Sequence, residues 1–441
     1  MKKFLLFFIS ITILFSACKK EDDFIFDKSP DERINESIAK YQALLTGAEN
    51  GWKAYITVNN GEGPSYAFYF KFDNANRVKM VSDFDTAASV TLTESSYRIR
   101  HQQQPTLIFD TYSYVHILAD PNESNAGVVA DINGGPVGQG LLSDFEFIID
   151  EEGITNDQIE MVGKVNGAVL TLVRATKAES DIFANGQWNL VSKYFDYILT
   201  YYRRVSLDGK LYDVKFDSRN HEMTFSWLDG TGDLQTHTST YFNTISGLTL
   251  SDPLQNDGQT ITSISVDSYN SATNTITIKS GTLTGTVAET ILPLKIDEEA
   301  PANWLEYPNQ FGGYWASWDG FHVNGVDDAY QIKTLDAFYQ LAFFPKDYFG
   351  TTTELLIPLI LVDNALDFEY YFRMQFTHAE GIGKFRLRNT SSDPATPTTG
   401  PARLTRNLFT QTEGFYFVQT SETTYDMVSA KDGKAWMTWF F

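Results

Sequence analysis

The chain has 441 residues and a formal net charge of −22 at pH 7. This balance disfavours binding to nucleic acid, because phosphate backbones are held by clustered lysine and arginine side chains. Hydrophobic residues make up 42% of the sequence, which is enough to bury the cores of two or three domains. Cys18 is the only cysteine, so an intramolecular disulfide is excluded.

The first residues have the three-part pattern of a secretory signal peptide. Lys2 and Lys3 precede an apolar run at 4–15, and small residues stand before Cys18. The run is too short for a transmembrane helix, which needs about 20 apolar residues. Residues 1–17 are therefore predicted to be a signal peptide.

The segment "SAC" at 16–18 resembles the lipobox of bacterial lipoproteins, in which the cysteine becomes the acylated first residue. The resemblance implies palmitate-type chains on Cys18 and a lipidated acidic tether over residues 18–28. Two or more acyl chains anchor a protein stably to a membrane. The alternative is a plain secreted protein with a cysteine in its leader.

A charged run follows the cysteine. In bacteria of the Bacteroidota, such acids resemble the signal that sends lipoproteins to the outer face of the outer membrane. The predicted export signal consists of Lys19, Lys20, Glu21, Asp22 and Asp23. We therefore expect a lipid-anchored protein of the outer membrane, displayed at the cell surface. The alternatives are an anchor facing the periplasm and a run of acids that only solvates the tether.

A helix is predicted directly after the tether. Ser29 suits the N-cap, Pro30 the first helical position, and Glu32 completes a capping box. An apolar stripe at spacings of 4, 3 and 4 follows, which indicates one buried helix face. It consists of Ile34, Ile38, Tyr41 and Leu45.

From Trp52 onward, short runs rich in β-branched and aromatic residues alternate with turn residues. They predict a mainly β fold in which the N-terminal helix precedes two or three antiparallel β-meander units, sandwich or barrel-like. The predicted domains are the helix with a first β domain at 29–180, a second β unit at 181–298 and a C-terminal β-rich domain at 299–441.

Two segment pairs suggest that the second β unit is a repeat of the first. "FKFDNANRVKMVSD" at 70–83 is similar to "VKFDSRNHEMTFSW" at 214–227, and "TESSY" at 93–97 is similar to "HTSTY" at 237–241. The matches are short, and they predict an old duplication of a β-meander unit.

The last third carries three further expectations. Prolines and acids at 297–310 predict a junction without a regular element. The run at 334–344 predicts a short helix, and the Ser/Thr/Pro-rich segment at 389–405 predicts an exposed, flexible loop. The apolar C-terminal residues predict a buried closing strand.

No catalytic or metal-binding motif is recognisable, so no catalytic residue, metal or cofactor is predicted. "DGTGD" at 229–233 has the oxygen-rich composition of a calcium loop, but it lacks the EF-hand pattern, and turn chemistry is the favoured explanation. Asp144 and Glu146 are two positions apart, which places them on one face of a strand. They are either a carboxylate pair for glycoside hydrolysis or part of the solvent-facing side of a sheet.

A cluster of aromatic residues in the last third is a candidate ligand platform, since flat rings beside polar groups suit sugars or apolar peptide side chains. The alternative is that these rings belong to the core. The cluster consists of Tyr314, Trp315, Trp318 and Phe321.

Two segments, "TLIFDTYSYVHILADP" at 106–121 and "GQGLLSDFEFIID" at 138–150, resemble the hallmark pair of the Bacteroidota family called domain of unknown function 4302. "VSD" at 81–83 and "IEMVGKV" at 159–165 also fit that pattern. The resemblance implies a surface lipoprotein encoded beside starch-utilisation-type uptake pairs, sometimes with a zinc metallopeptidase. It supplies no catalytic residues.

Within the hallmark, Tyr112 and His116 have two interpretations. They form the rim of a ligand pocket, or they hold a strand and the turn after it in place. The expected function is a non-catalytic accessory or ligand-binding component of an outer-membrane glycan or peptide uptake system. The alternatives are a surface hydrolase of glycan or peptide and a structural or adhesive surface protein.

Overall fold

A computed structural model of the protein describes residues 28–101, 103–122, 139–218 and 220–441. The prediction of a mainly β chain with an N-terminal helix before the strands is confirmed. The strands form three closed antiparallel sheets, which we call barrels 1, 2 and 3 in chain order.

Helix α1 spans Pro30–Thr46. The predicted capping box is present, since the Ser29 hydroxyl accepts from the Glu32 backbone N–H and the Glu32 carboxylate accepts from the Ser29 backbone N–H. At the other end, the Trp52 indole Nε1 donates to the Leu45 carbonyl at 2.9 Å, which satisfies a carbonyl that the helix leaves without a partner. Tyr41 and Leu45 are buried in the core of barrel 1.

Barrel 1 is an eight-stranded meander in which each strand pairs with the next and β8 pairs with β1. Its strands are β1 Trp52–Thr57, β2 Ser65–Phe72, β3 Arg77–Ser82, β4 Thr93–His101, β5 Pro105–Phe109, β6 Glu146–Ile154, β7 Gln158–Gly163 and β8 Val169–Arg174. Two short helices lie in its connections, α2 Thr86–Val90 and α3 Tyr114–Ile117. Alternate residues of the strands fill the interior, where Trp52, Phe70, Leu107 and Phe147 are buried.

Barrel 2 repeats this strand order. Helices α4 Lys177–Ala184 and α5 Val191–Phe195 connect it to barrel 1. Its strands are β9 Tyr202–Leu207, β10 Lys210–Asp217, β11 Glu222–Leu228, β12 Leu234–Thr244, β13 Gly247–Asn256, β14 Gln259–Asn270, β15 Thr275–Ser280 and β16 Leu283–Thr290. β16 closes the ring on β9.

The similar sequence segments occupy equivalent places in the two barrels. The segments at 70–83 and 214–227 run through the hairpin between the second and third strands, β2–β3 and β10–β11. The shorter pair lies in the fourth strands, β4 and β12. A duplication of the meander remains a prediction, and this placement is what such a duplication would produce.

Barrel 3 begins with helix α6 Ala300–Phe311, and helix α7 Gly400–Phe409 lies between two of its later strands. Its strands are β17 Trp315–Ser317, β18 His322–Val323, β19 Phe338–Phe344, β20 Glu354–Val362, β21 Ala365–Asp367, β22 Phe372–Ala379, β23 Ile382–Leu387, β24 Phe415–Ser421, β25 Thr424–Ser429 and β26 Ala435–Phe440. The eight-strand ring closes through Ala316 and Phe440, while β18 and β21 pair outside it. The expected closing strand is β26, whose Trp439 is fully buried.

The predicted junction at 297–310 is wrong, because α6 occupies most of it. Pro301 stands in the first turn, where a missing backbone N–H costs little. Pro308 removes the hydrogen bond that the Trp304 carbonyl would otherwise receive from within the helix. That carbonyl instead accepts from the Trp315 indole at 2.8 Å, so the helix continues past the proline.

The two other local predictions in this region are also wrong. The run at 334–344 forms a 3-10 turn, Ile332–Thr334, and then β19, which is buried on both faces and therefore apolar without alternation. The segment at 389–405 is anchored by Asp393, whose carboxylate accepts from the Arg373 guanidinium at 2.8 Å and from the Tyr371 hydroxyl at 3.0 Å. From Gly400 onward the same segment is helix α7.

Polar contacts join neighbouring barrels. Between barrels 1 and 2, the Trp188 indole donates to the Thr244 carbonyl at 3.1 Å. Between barrels 2 and 3, the Tyr201 hydroxyl donates to the buried carboxylate of Asp426 at 2.6 Å. Burial, and then the Asp426 charge, raises the pKa of Tyr201, so this phenol stays a donor at neutral pH.

Candidate functional site

The structure divides the predicted aromatic cluster of barrel 3 into core and surface residues. Trp315 is fully buried, with its ring parallel to that of Trp304 at 5.8 Å. Phe321 is also buried, against Phe409 and Phe415. Neither ring is accessible to a ligand, so for these two residues the core interpretation applies.

Trp318 lies on the surface, with 44% of its area exposed. Its indole Nε1 donates to the Gln340 side-chain oxygen at 3.1 Å, and the Gln340 amide nitrogen donates to the Tyr314 hydroxyl at 2.9 Å. The Trp318 ring also lies 4.8 Å from that of Phe440. We call these four residues the Trp318 platform. Hydrogen bonding and ring contact hold the exposed indole in one orientation, which lowers the entropy cost of binding.

Aromatic surface continues beyond the platform. The Tyr314 ring lies 4.4 Å from that of Phe344, which in turn contacts Tyr348 and Phe349, each at 4.9 Å. Tyr348 and Phe349 are 44% and 54% exposed. Large exposed rings in one area are characteristic of binding surfaces for ligands or partners.

Charged groups stand beside the indole. Asp319 follows Trp318 in the chain, and its carboxylate pairs with Lys333 at 3.4 Å, both side chains being mostly exposed. A flat ring next to a carboxylate and an ammonium group offers an apolar face together with hydrogen-bond acceptors and donors. This combination suits a sugar ring or a polar peptide.

Tyr112 and His116 lie together at one end of barrel 1. The two rings stack at 5.6 Å, and His116 stacks at 4.9 Å on Phe145, which sequence reasoning missed. Tyr112 and Phe145 are 56% and 40% exposed. The Tyr112 hydroxyl donates to the Asp120 carboxylate. Partial burial of the phenol, together with this hydrogen bond, raises the pKa of Tyr112 to about 12.

Both ring nitrogens of His116 are occupied within the chain. Nδ1 accepts from the Ser113 backbone N–H at 3.2 Å, and Nε2 donates to the Phe109 carbonyl at 3.1 Å. Burial lowers the pKa of His116, which favours this neutral form. His116 therefore fastens the turn after β5 and has no nitrogen left for catalysis or metal binding. Tyr112 and Phe145, which each stack on His116, remain partly exposed.

The predicted lipid attachment site and export signal lie outside the described residues. This applies to Cys18, Lys19, Lys20, Glu21, Asp22 and Asp23.

Asp144 is buried, contrary to its expected place on a solvent-facing strand. Its carboxylate accepts the backbone N–H groups of Val165, Asn166 and Ala168 at 2.8–3.1 Å, which fixes the turn between β7 and β8. Glu146 pairs instead with Lys164 at 2.8 Å. The two carboxylates thus have separate structural partners. The sequence signal for this role of Asp144 was "VNG" at 165–167. Turns of this composition leave backbone N–H groups without partners, and a nearby carboxylate can accept hydrogen bonds from them.

In the described ranges, no group of three His, Cys, Asp or Glu side chains comes together in a way that could hold a metal ion. The Asp229 carboxylate accepts hydrogen bonds from Thr231, Asp233 and Gln235, which lower the pKa of Asp229 to about 2. Turn chemistry accounts for this loop.

A depression of about 410 Å³ lies between α1 and barrel 1, lined by Lys40, Leu44, Glu151 and Ile154. The Lys40 ammonium and Glu151 carboxylate pair across it at 2.6 Å, which raises the pKa of Lys40 and lowers that of Glu151. Both side chains are exposed and satisfied by each other. The depression therefore has no convergent polar groups directed at a ligand.

Among the helices of the described residues, none combines the length and the apolar character that crossing a bilayer requires.

Comparison with known proteins gives one family. The sequence model described as "Domain of unknown function (DUF4302)" matches residues 22–268. No curated protein matches the chain. One solved structure with a similarity is the DNA polymerase III subunit beta DnaN sliding clamp from Bartonella birtlesii LL-WM9, at 7% identity over 57% of this chain and 64% of that chain. The chain thus spans less than two thirds of the clamp, and the TM-score is 0.11.

The family match covers more than half of the 441 residues, including the hallmark segments with Tyr112, His116 and Asp144. It ends inside β14 and does not extend to barrel 3. The chain belongs to the family described as domain of unknown function DUF4302.

Proposed function

We propose that the protein is a lipid-anchored surface protein of the outer membrane that binds glycan or peptide as a non-catalytic component of a nutrient uptake system. The anchor in this proposal is Cys18, and the acids Glu21, Asp22 and Asp23 direct the protein outward. A Bacteroidota origin and a starch-utilisation-type uptake complex, or a co-encoded metallopeptidase, as partner belong to the same proposal.

The observation that carries the binding role is the Trp318 platform. A half-exposed indole, fixed by Gln340 and Phe440 and flanked by Asp319 and Lys333, provides stacking and hydrogen bonding in one place. Aromatic rings of this kind contribute large contact area at low entropy cost.

The contacts of the buried acids fit a non-catalytic role. Asp83, Asp144, Glu354 and Asp426 are buried, and each accepts hydrogen bonds from neighbouring backbone or side-chain donors. Most glycosidases need two carboxylates that flank the scissile glycosidic bond. These four acids are instead committed to a turn, to a neighbouring strand or to contacts between barrels.

Binding at the platform is tested with full-length protein solubilised in detergent and a panel of neutral hexaoses and casein-derived peptides. We expect at least one probe to bind, and Trp318→Ala to weaken it by about tenfold, the loss of one stacking contact of roughly 1.4 kcal/mol. Tyr197→Ala, which removes a 39% exposed ring from barrel 2, is the matched control. Equal binding by wild type and Trp318→Ala would exclude the platform.

The uptake role is tested separately, by isolating the lipidated protein from its own membrane. Recovery together with an outer-membrane channel supports the proposal. Recovery with neither a channel nor another lipoprotein contradicts it.

A further inference from the structure

A row of positive side chains covers the outer face of β23. Phe385 points into the core of barrel 3, so Lys384 and Arg386 on either side of it point outward. Arg388 continues the row just past the strand, where its guanidinium donates to the Gln375 side-chain oxygen at 2.8 Å. Gln375 is the cross-strand partner of Arg386, which places these groups on one surface.

The local charge is opposite to that of the whole chain. Residues 380–413 contain five basic and three acidic side chains, a net charge of 5 − 3 = +2, whereas the chain carries −22. The acids are Glu380, Asp393 and Glu413, of which Asp393 is bound to Arg373, a residue outside this range.

The two arginines of the row lack carboxylate partners. In the part of the chain that the structure describes, no carboxylate lies within 4 Å of Arg386 or Arg388.

Helix α7 carries two further guanidinium groups. The helix packs on the inward side of β23, where the rings of Phe409 and Phe385 are 5.3 Å apart. Arg403 and Arg406 stand three positions apart on it, and among the described residues neither has a carboxylate partner. The Nε of Arg403 is buried without a hydrogen bond.

The environment of Arg406 shows the cost of this arrangement. Its guanidinium lies 5.6 Å from the ring centre of Phe372. Burial and, second, the charge of Arg403 lower the pKa of Arg406, and the Arg406 guanidinium donates to the Asn407 side-chain oxygen at 2.6 Å. A bound anion would remove that penalty.

The spacing and geometry of the row identify the ligand class. Alternate residues of a strand are about 7 Å apart, so the row presents cations at regular intervals along about 14 Å. Guanidinium groups bind carboxylate and sulfate in a two-point geometry. A linear polymer with repeated anionic groups complements such a row.

An acidic polysaccharide fits this surface better than an acidic peptide does. Peptides that bind to sheets usually add a strand at an open edge, and they gain affinity from main-chain hydrogen bonds. The cationic row consists of side chains on the outward face of β23. A glycan is stiffer than a peptide and loses less conformational entropy when its charges are aligned.

We infer that the outer surface of barrel 3 formed by Lys384, Arg386 and Arg388 binds an acidic polysaccharide through its carboxylate or sulfate groups. The inference goes beyond the proposed function, because it adds a second binding surface. It uses a different surface from the Trp318 platform, because β23 and β17 lie four strands apart in the ring of eight.

The test uses full-length protein in detergent and three immobilised probes, which are polygalacturonate, poly-L-glutamate and neutral dextran. We expect wild type to bind polygalacturonate more tightly than the other two, and to lose affinity as salt rises from 50 to about 300 mM. Arg386→Gln with Arg388→Gln should reduce affinity about tenfold, since two charge-assisted contacts are lost.

The matched control is Lys71→Gln with Lys79→Gln, which removes two exposed, directly opposed cations from barrel 1. This variant should bind within about twofold of wild type. The inference is overturned if both double variants bind alike, if poly-L-glutamate binds more tightly than polygalacturonate, or if dextran binds equally well. Trp318→Ala should leave polygalacturonate binding unchanged, so failure of the platform and failure of this surface are distinguishable.

Discussion

The carboxylate of Asp83 in barrel 1 lies 3.8 Å from the imidazole Nδ1 of His221 in barrel 2, and both side chains are almost completely buried. Asp83 also accepts from the Asn243 side chain of barrel 2 and from the Ala67 backbone N–H, each at 2.9 Å. His221 Nδ1 lies 2.8 Å from the carbonyl oxygen of Ser65 and therefore carries a proton. Asp83, the last residue of the "VSD" segment at 81–83, thus joins the first two barrels.

Asp83→Ala should destabilise the protein by about 3 kcal/mol, because it leaves the Asn243 amide and the Ala67 N–H buried without an acceptor. The measurement is the urea unfolding midpoint at pH 7. Asp336→Ala, which changes an exposed acid of barrel 3, should unfold like wild type. If the two variants unfold at the same urea concentration, the network does not stabilise the fold.

The contacts of Asp393 predict that the folded protein loses stability in acid. The Arg373 guanidinium, then hydrogen bonds from Thr390 and Tyr371, hold the pKa of Asp393 well below its ordinary value of 3.8. The folded state therefore binds this proton less readily than the unfolded state does. The stabilisation is present above pH 3.8 and is lost as the pH falls through the folded-state value.

The measurement compares urea midpoints at pH 6 and pH 3. Asp393→Asn should be less stable than wild type at pH 6, and it should lose less stability on going to pH 3. Burial raises the pKa of Asp83, so that residue acts in the opposite direction, but it is common to both proteins and cancels. Asp363→Asn, at an exposed turn position with φ of 50° that asparagine tolerates, is the control. An identical acid response in Asp393→Asn and wild type would show that Asp393 is not the cause.

Local sequence signals predicted α1 and the strands of the first two barrels, but they failed at 297–310, 334–344 and 389–405. Ser29, Pro30 and Glu32 determine the start of α1. The capping contacts join residues that are three positions apart, so the pattern is visible in the sequence itself. Period-two alternation likewise indicated strands, since each strand has one face in a barrel core. Ring closure depends on pairs such as Trp52 with Arg174, and no local pattern specifies those.

The same limit applies to the candidate site. Trp315 and Trp318 stand in one aromatic run, yet one is fully buried and the other is 44% exposed. β17 is buried on both faces, so alternation could not distinguish them. The cationic row was missed because charged residues that alternate with apolar ones along a strand have the pattern of an ordinary solvent-facing side.

Gly285→Ala should destabilise barrel 2 where it closes. A Cβ at this position would lie 2.0 Å from the carbonyl oxygen of Ser206 and 2.9 Å from the Leu207 Cα, so the β16–β9 pairing has to shift. We expect a loss of about 2 kcal/mol in unfolding free energy. Gly230→Ala meets no atom within 4 Å and should change it by less than about 0.5 kcal/mol. Equal stability of the two variants would contradict the close approach of the strands.

Cys18→Ser should release the protein from the membrane, because an unacylated chain loses about 0.8 kcal/mol of membrane binding for each buried CH₂. The measurements are incorporation of labelled palmitate and the division of the protein between membrane and soluble fractions. Replacing Glu21, Asp22 and Asp23 together by alanine should leave palmitate incorporation unchanged and reduce cleavage by protease added to intact cells. This pair of variants separates attachment from outward display. Palmitate incorporation into Cys18→Ser would place the lipid elsewhere, and undiminished cleavage of the triple variant would show that the acids only solvate the tether.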